Sequence, residues 1–261
     1  MMELPESIFR ILKDREFEIN TVGLSDSQVI CFDDAVLKIE AAWEETETAS
    51  VMLRWIQGRI PAPRILAEES KSGINYLLMS RLPGKMSCDE EYMRDPRRLV
   101  KMLAKALDML WAVDISDCPV DQGLSRKLRQ AEYRVRNGLV DLENVEPGTF
   151  GEGGFRDPED LLRWLRENCP EERAVLSHGD FCLPNIFFMG EEIAGYIDLG
   201  RCGVADPYQD IALCYRSLCH NFEGRYGRAY PGFDPAMFFE ALGIEPDWEK
   251  IRYYTLMDEL F

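Results

Sequence analysis

The stretch LSHGDFCLPNIFFMGEEIAGYIDLGR, residues 176–201, indicates how this chain folds and where its chemistry lies. Asp180 follows a short apolar strand, "AVLS", and Asn185 opens a second one, "IFFM". A turn at Gly190 sends the chain back along "IAGYID", which ends at Asp198. An antiparallel return of this length brings Asn185 and Asp198 to the same end of a hairpin. The pattern leaves three interpretations open: a metal site, an acid–base pair, or solvated turn residues.

The spacing of these polar residues favours a metal site beside an acid–base group. An amide oxygen and a carboxylate are hard ligands suited to Mg²⁺, which also binds water and phosphate oxygens. Asp180, on the loop before the hairpin, could then accept a proton from an alcohol held against a γ-phosphate. Each residue alone is as readily an ordinary turn residue. An HxDxxxxN element followed after thirteen residues by Ile-Asp-Leu-Gly has few such explanations.

The composition describes a soluble globular protein of 261 residues, 46% of them hydrophobic and 30% charged. The net charge of −17 argues against a nucleic-acid partner, because binding phosphates needs a basic face. An acidic protein repels anionic membranes and attracts cationic small molecules, although the charge is also explained by solubility alone. The sequence shows no membrane span or signal peptide, so we expect a cytoplasmic protein.

The cysteines do not indicate a metal site. The eight of them are scattered without a CxxC pair, and the chain has only two histidines, His178 and His220. Zinc ligation is therefore improbable, and we expect small buried thiols in a reducing compartment.

The remaining patterns predict an α+β fold with a small β-rich front half, residues 1–82, and a larger helical back half, residues 83–261. "FEIN", "QVICF", "AVLKIE" and "INYLLMSRLPG" are typical of strands, the last ending in a Pro-Gly breaker. "TETASVMLRWI" predicts a helix with an apolar face, and "PDWEKIRYYTLMDELF" a helix to the last residue. The predicted apolar face of the first consists of Val51, Met52, Trp55 and Ile56. Three further helices are predicted to begin at Asp-Pro pairs, which are Asp95-Pro96, Asp157-Pro158 and Asp206-Pro207.

"HGDxxxxN" followed by "IDLGR" resembles the catalytic segments of aminoglycoside phosphotransferases, relatives of the eukaryotic protein kinases. The likeness is greatest to the 3'-phosphotransferases and covers nearly the whole chain. The HGD motif alone would also fit choline, homoserine or methylthioribose kinases, so the terminal "PDWEKIRYYTLMDELF" is the specific part. The resemblance implies a protein-kinase-like fold of two lobes: an antiparallel-sheet N-lobe that binds the nucleotide, and a mainly helical C-lobe. It also implies ATP and Mg²⁺ as cofactors.

The resemblance implies a role for each matching residue. Asp180 would be the catalytic base, and Arg201 would steady the phosphate charge. Asn185 and Asp198 would hold magnesium. The residues that would contact the nucleotide are Ser25, Lys38, Met79, Ser80 and Leu82.

Two positions depart from the family's pattern. Members usually carry a Glu that anchors the lysine, six residues before a Trp-Ile or Trp-Leu pair, and Ala49 stands there. The substitutes are Glu45 and Glu47, and we favour Glu45 as the partner of Lys38 because residues four apart share a helix face. Val36 stands where an aromatic residue often stacks on adenine.

The end of the chain, "DELF", suggests the substrate. Asp258, Glu259 and the terminal carboxylate of Phe261 crowd the C-terminus of a helix, where the dipole is already negative. A polycation would relieve this repulsion, and the family uses the same segment to bind aminoglycosides. Arg216 belongs to the same implied substrate site. His220, four residues later, departs from it, because family members commonly have an acid there.

We therefore expect an enzyme that phosphorylates a hydroxyl, most simply the 3'-hydroxyl, of an aminoglycoside antibiotic. A polycationic small molecule would be its partner, without nucleic acid or membrane, and the enzyme would be a monomer. Two alternatives remain open: a kinase of another small alcohol such as choline or a sugar, and a nucleotide-binding pseudokinase without catalysis.

Overall fold

An antiparallel sheet of five strands forms the N-terminal part of the protein. The computed structural model describes residues 4–13, 15–20 and 27–261. The strands are β1 (Glu18–Asn20), β2 (Gln28–Cys31), β3 (Ala35–Ala41), β4 (Ile65–Lys71) and β5 (Ile74–Ser80). Their spatial order is β1-β2-β3-β5-β4, so β3 lies at the centre. The strands predicted at "QVICF", "AVLKIE" and "INYLLMS" are confirmed.

The alternation of side chains in β3 places its one lysine on the face away from the sheet's core. Ala35, Leu37 and Ile39 are buried, and they pack with the helix α1 (Glu6–Leu12). The residues between them point to the opposite face, because successive side chains of a strand alternate. Lys38 and Glu40 therefore share that second face, and both are half-buried.

The helix α2 (Glu44–Trp55) packs between the sheet and the C-terminal part of the chain. Met52 and Ile56 are buried as predicted, but Val51 is 41% exposed, so its assignment to the apolar face was wrong. The helix instead buries the smaller residues of its first turns, Thr46, Thr48, Ala49 and Ser50. Small side chains allow a close approach of the helix to its neighbours, which apolar periodicity alone does not indicate.

Helices dominate the rest of the chain. They are α3 (Glu90–Met93), α4 (Pro96–Trp111), α5 (Leu124–Arg136), α6 (Pro158–Glu167), α7 (Pro207–Glu223), α8 (Ala236–Leu242) and α9 (Trp248–Asp258). All three predicted Asp-Pro starts are confirmed: the aspartate side chain accepts a hydrogen bond from a main-chain N–H of the first turn at α4, α6 and α7. The last helix ends at Asp258, three residues earlier than predicted.

Two small sheets connect these helices to the segment that contains the polar motif. Strands β6 (Lys85–Met86), β8 (Ile186–Met189) and β9 (Glu192–Tyr196) form one, and β7 (Val175–Ser177) pairs with β10 (Gly203–Ala205) in the other. The fold is α+β, with a small sheet lobe and a larger helical lobe, as expected. The lobe boundary at residue 82 stays a prediction. No helix in the described part of the chain is long and apolar enough to cross a membrane.

Candidate active site

The loop His178-Gly179-Asp180 follows β7, and one buried carboxylate holds it by hydrogen bonds. Asp210, in α7, accepts hydrogen bonds from Ser177 Oγ, His178 N and Gly179 N, each at 2.9 Å. Burial raises the pKa of Asp210, and these donors oppose that rise. Asp210 was not among the predicted site residues. An aspartate beside the apolar run of a helix, in "DIALC", could have indicated a buried carboxylate.

Gly179 is required by the shape of this loop. Its φ is +83°, and a Cβ on it would lie 1.9 Å from the main-chain oxygen of Arg201. Only a residue without a side chain permits both the backbone conformation and this close approach. The loop is therefore pressed against the segment after Asp198.

Two side chains orient the Asp180 carboxylate. Asn185 Nδ2 donates to Asp180 Oδ2 at 2.9 Å and to its main-chain oxygen at 3.0 Å. The Cys182 thiol donates to Asp180 Oδ1 at 3.1 Å, a contact that the sequence analysis missed. Asp180 N donates to His178 Nδ1, so His178 Nε2 carries the proton and donates to the main-chain oxygen of Ile197. A carboxylate with both oxygens held presents a fixed direction to a substrate.

The hairpin brings Asn185 and Asp198 together as predicted. Ile197 N donates to the main-chain oxygen of Asn185 at 3.0 Å, directly after the β8–β9 pairing. Asp198 adopts a left-handed backbone, with φ 58° and ψ 61°. Its side chain is 43% exposed and thus open to a ligand.

The donor set of these two residues fits Mg²⁺. Since Asn185 Nδ2 donates to Asp180, its amide oxygen is the atom left for a cation, and none of the described residues donates a hydrogen bond to it. Desolvation by the surrounding atoms alone would raise the pKa of Asp198, but its positively charged neighbours, Lys38 foremost, together outweigh it and lower the pKa, so the carboxylate is charged at neutral pH. One amide oxygen and one carboxylate oxygen are the kind of ligands that Mg²⁺ binds alongside water and phosphate.

Lys38 connects the sheet to the hairpin through Asp198, and it also binds Glu40 on its own strand. Its Nζ lies 3.0 Å from Glu40 Oε2 and 3.1 Å from Asp198 Oδ1. Burial alone would lower the pKa of Lys38, but Asp198 and Glu40 outweigh it and raise the pKa. The ammonium is therefore charged and directed toward the Asp198 carboxylate.

The predicted pairing of Lys38 with Glu45 is wrong in this structure. Glu45 bonds instead to Arg201 Nε at 3.2 Å, and Glu47 is exposed. Glu40 takes the position because it lies two residues from Lys38 on the same face of β3. Arg201, reaching α2 from the segment after the hairpin, holds Glu45 away.

The predicted nucleotide-contacting residues lie where the two lobes meet, except Ser25, which falls outside the described residues. Met79 is the register partner of Val36 across β3 and β5. Leu82 packs against β9, since a methyl group on Gly195 would lie 2.8 Å from Leu82 Cδ1. The main-chain N–H of Ser80 donates to Arg64 O, and the Ser80 hydroxyl accepts from Arg64 N. Both groups therefore stabilise the neighbouring segment of the same chain. The roles of Met79, Ser80 and Leu82 in adenine binding, and of Ser25 near the phosphates, stay predictions.

The C-terminal cluster, formed by Asp258, Glu259 and Phe261 with Arg201 and Arg216, differs from the expectation. Asp258 binds Arg201 Nη1 at 3.0 Å and also Arg216, and Glu259 binds Arg216 Nη1 at 3.2 Å. The Phe261 ring lies 5.4 Å from the Arg201 guanidinium. The expectation of unrelieved negative charge was therefore wrong, because arginines of the chain itself neutralise the carboxylates.

Burial brings the pKa of one group of this cluster close to neutral pH. It raises the pKa of Glu259 to about 7, despite a 2.8 Å hydrogen bond from Glu146 N. Glu146 also pairs with Arg225 at 2.6 Å and with His220 at 3.3 Å. The histidine that departs from the family's pattern therefore lies beside Glu146 and Glu259, and because burial lowers its pKa it is uncharged at neutral pH.

Comparison with known proteins agrees with this arrangement. The profile of the phosphotransferase enzyme family, APH, matches residues 23–254. An aminoglycoside 3'-phosphotransferase of Enterococcus faecalis is 40% identical over 222 residues, which cover 83% of this chain and 79% of that protein. One of Niallia circulans is 37% identical and covers 98% of this chain and 97% of its own. The crystal structure of an aminoglycoside-3'-phosphotransferase of type VIII superposes with a TM-score of 0.79 at 27% identity, covering 98% of both chains.

Proposed function

The chain belongs to the APH phosphotransferase enzyme family, and from this premise we propose that it transfers the γ-phosphate of ATP to the 3'-hydroxyl of aminoglycoside antibiotics and so inactivates them. The observation that carries the proposal is the Asp180 carboxylate, held on both oxygens and set beside the Asn185–Asp198 pair. The relatives of 37–40% identity that share this activity by name support the choice of substrate.

The nucleotide end of the site consists of Lys38, Asp198 and Asn185. Lys38 binds the α- and β-phosphates, and Asn185 and Asp198 hold Mg²⁺. Mg²⁺ held by these two residues would supply positive charge that offsets the charge of the phosphates. Arg201 adds positive charge near the loop, although two carboxylates already share its guanidinium. Met79 and Leu82, with the linker backbone, enclose the base.

Asp180 acts on the substrate hydroxyl. It orients the hydroxyl and accepts its proton as the oxygen attacks the phosphorus. Because Asn185 and Cys182 fix the carboxylate, little reorganisation is needed at the moment of transfer, and such positioning accounts for much of the catalysis of phosphoryl transfer.

The protein's charge and its C-terminal cluster favour a polycation. The net charge of −17 attracts a cationic substrate at long range. Arginines and one main-chain N–H occupy one direction on each oxygen of Asp258 and Glu259. A carboxylate offers about four acceptor positions, and the side chain of Asp258 is 18% exposed against 4% for Glu259, so Asp258 is the one of the two that can also accept from a substrate ammonium. Phe261 and Arg216 complete this part of the site.

A substrate panel tests the proposal. With purified protein, ATP and Mg²⁺, we expect kanamycin to be phosphorylated and an aminoglycoside without the 3'-hydroxyl to be inert. Turnover of choline or a sugar without turnover of kanamycin would instead establish the small-alcohol kinase. Equal phosphorylation of the 3'-deoxy compound would refute the 3' position.

One variant separates an enzyme from a pseudokinase. We expect Asp180→Asn to lower kcat by about 10²- to 10⁴-fold while ADP binding persists. The control is Asp108→Asn, since Asp108 is exposed on α4. Unchanged turnover in Asp180→Asn would remove Asp180 from its role. A cytoplasmic, monomeric enzyme completes the proposal, and gel filtration of the full chain measures the oligomeric state.

A further inference from the structure

A small cavity lies between α5, α7 and α9, directly behind the C-terminal cluster. Its volume is about 10 Å³. Lys127 of α5, Gln209 of α7 and Tyr254 of α9 line it, together with Asp258 and Phe261. In this measure, one water molecule needs roughly 10–15 Å³ and two to four polar partners.

Two residues that line this cavity each carry a polar atom without a partner in the described residues. These atoms are Gln209 Oε1 and the Tyr254 hydroxyl, and both are buried. The other end of the Gln209 amide is engaged, because Nε2 donates to the main-chain oxygen of Gly179 at 2.9 Å. A buried polar atom without a hydrogen bond costs roughly 1–3 kcal/mol of stability, so two of them at one cavity indicate a shared ligand.

Lys127 brings an ammonium to the same place. The residue is only 4% exposed, and no carboxylate of the described chain lies within ion-pair distance of its Nζ. The centre of the Phe261 ring lies 5.3 Å from Nζ. Burial, helped by the charge of Arg201, lowers the pKa of Lys127 to about 8. A buried ammonium needs hydrogen-bond acceptors, and the cavity is where one can be supplied.

We propose that this cavity binds a single water molecule, which accepts hydrogen bonds from Lys127 Nζ and Tyr254 OH and donates to Gln209 Oε1. The second proton of the water is left for the carboxylate of Asp258, which lines the same cavity. Chemistry excludes the other small occupants. A cation would face the ammonium of Lys127, and an anion would face the amide oxygen of Gln209 and the carboxylate of Asp258.

This water connects the C-terminal cluster to the catalytic loop. Gln209 holds the carbonyl of Gly179, which immediately precedes Asp180. A bound water fixes the Gln209 amide in the orientation that makes this bond. Lys127 and Tyr254 are thus positioning residues for Asp180, a role that rests on the proposed phosphotransferase function, whereas the water site itself does not.

Tyr254→Phe tests the water site, with Tyr253→Phe as its matched control. The hydroxyl of the control residue already donates to Leu165 O at 2.9 Å, away from the cavity. In a dry cavity, removing the unpartnered Tyr254 hydroxyl would leave the melting temperature unchanged or raise it. With the water present, we expect Tyr254→Phe to lower it by about 2–4 °C, as for the loss of one hydrogen bond. A crystal structure of the full chain should show one water within hydrogen-bond distance of Tyr254 OH, and no density there would overturn the proposal.

Kinetics tests the positioning role separately. We expect Tyr254→Phe and Lys127→Met to lower kcat about 2- to 10-fold while the KM for ATP stays unchanged. Tyr253→Phe should leave kcat unchanged at temperatures well below melting. A lower melting temperature with normal kcat in Tyr254→Phe would refute the positioning role. Because the thermal and crystallographic measurements need no substrate, they hold or fail independently of the proposed function.

Discussion

Glu40, rather than Glu45, should anchor Lys38, the lysine that we propose binds the phosphates. The change to make is Glu40→Gln, which keeps the size of the side chain and removes its charge. Glu45→Gln is the matched comparison, because the sequence pattern favours Glu45 and the structure bonds it to Arg201. Only the first substitution should therefore loosen Lys38.

The expected magnitude follows from the surroundings of the pair. Lys38 Nζ and Glu40 Oε2 lie 3.0 Å apart, and their side chains are 18% and 16% exposed. A hydrogen bond between charged groups at this level of burial contributes about 1.5–3 kcal/mol. Asp198 still holds the ammonium at 3.1 Å after the substitution. We therefore expect the lower end of that range, which corresponds to a decrease of about tenfold in kcat/KM for ATP.

The assay is steady-state turnover of ATP at saturating kanamycin, with ADP affinity measured by calorimetry as a readout that needs no second substrate. Glu45→Gln should change kcat/KM for ATP by less than about threefold. It should instead lower the melting temperature by about 2–4 °C, as for the loss of one hydrogen-bonded charge from Arg201. If Glu45→Gln impairs ATP use as much as Glu40→Gln, then Glu45 anchors Lys38 in the working enzyme and the reasoning fails.

Three further predictions concern the catalytic loop and the C-terminal cluster. Gly179→Ala places a Cβ 1.9 Å from the main-chain oxygen of Arg201. We therefore expect turnover to fall by at least about 100-fold, in a protein that circular dichroism shows to be folded. Activity within threefold of the wild type would contradict this. Cys182→Ala removes a hydrogen-bond donor to Asp180 and should lower kcat about 2- to 10-fold. Cys182→Ser keeps a donor and should restore kcat. An equal loss of kcat in both variants would show that this hydrogen bond does not support catalysis. Glu259 should make stability fall as pH rises from about 4.5 to about 7, because its folded pKa is the higher one and the unfolded chain releases the proton first. In urea unfolding, the free energy of unfolding of Glu259→Gln should therefore rise relative to that of the wild type between pH 5 and pH 8, by an amount on the order of 3 kcal/mol. If the difference between the two free energies is the same at both pH values, the raised pKa of Glu259 is refuted.

Much of the fold was predictable because its helices and strands follow from short periodic patterns in the sequence. The run "AVLKIE" predicted a strand, which the structure places at the centre of the sheet with Lys38 on the face opposite Leu37. Asp-Pro pairs predicted three helix starts, since an aspartate cap and a proline in the first turn act within four residues. The misplaced residue, Val51, belongs to a helix that buries small and polar side chains, and these do not form an apolar stripe.

The site was predictable to the extent that it is local. Asn185 and Asp198 meet because one hairpin joins them, and Asp180 precedes that hairpin on the same short segment. Cys182 also lies within the motif, but a cysteine two residues from an aspartate carries no pattern of its own. Glu40 was missed because the expected partner was sought on a helix rather than on the lysine's own strand.

By itself, then, the sequence determined the α+β fold, the hairpin that unites Asn185 with Asp198, and the phosphotransferase chemistry of the HGD motif. The tertiary structure alone decided which charges pair. Lys38 meets Asp198 across 160 residues, Arg201 meets Glu45 across 156, and Asp210 supports the loop from 31 and 32 residues away. The physical reason is range: backbone periodicity acts between near neighbours, whereas an ion pair depends on a separation of a few ångströms, which only the packed chain defines.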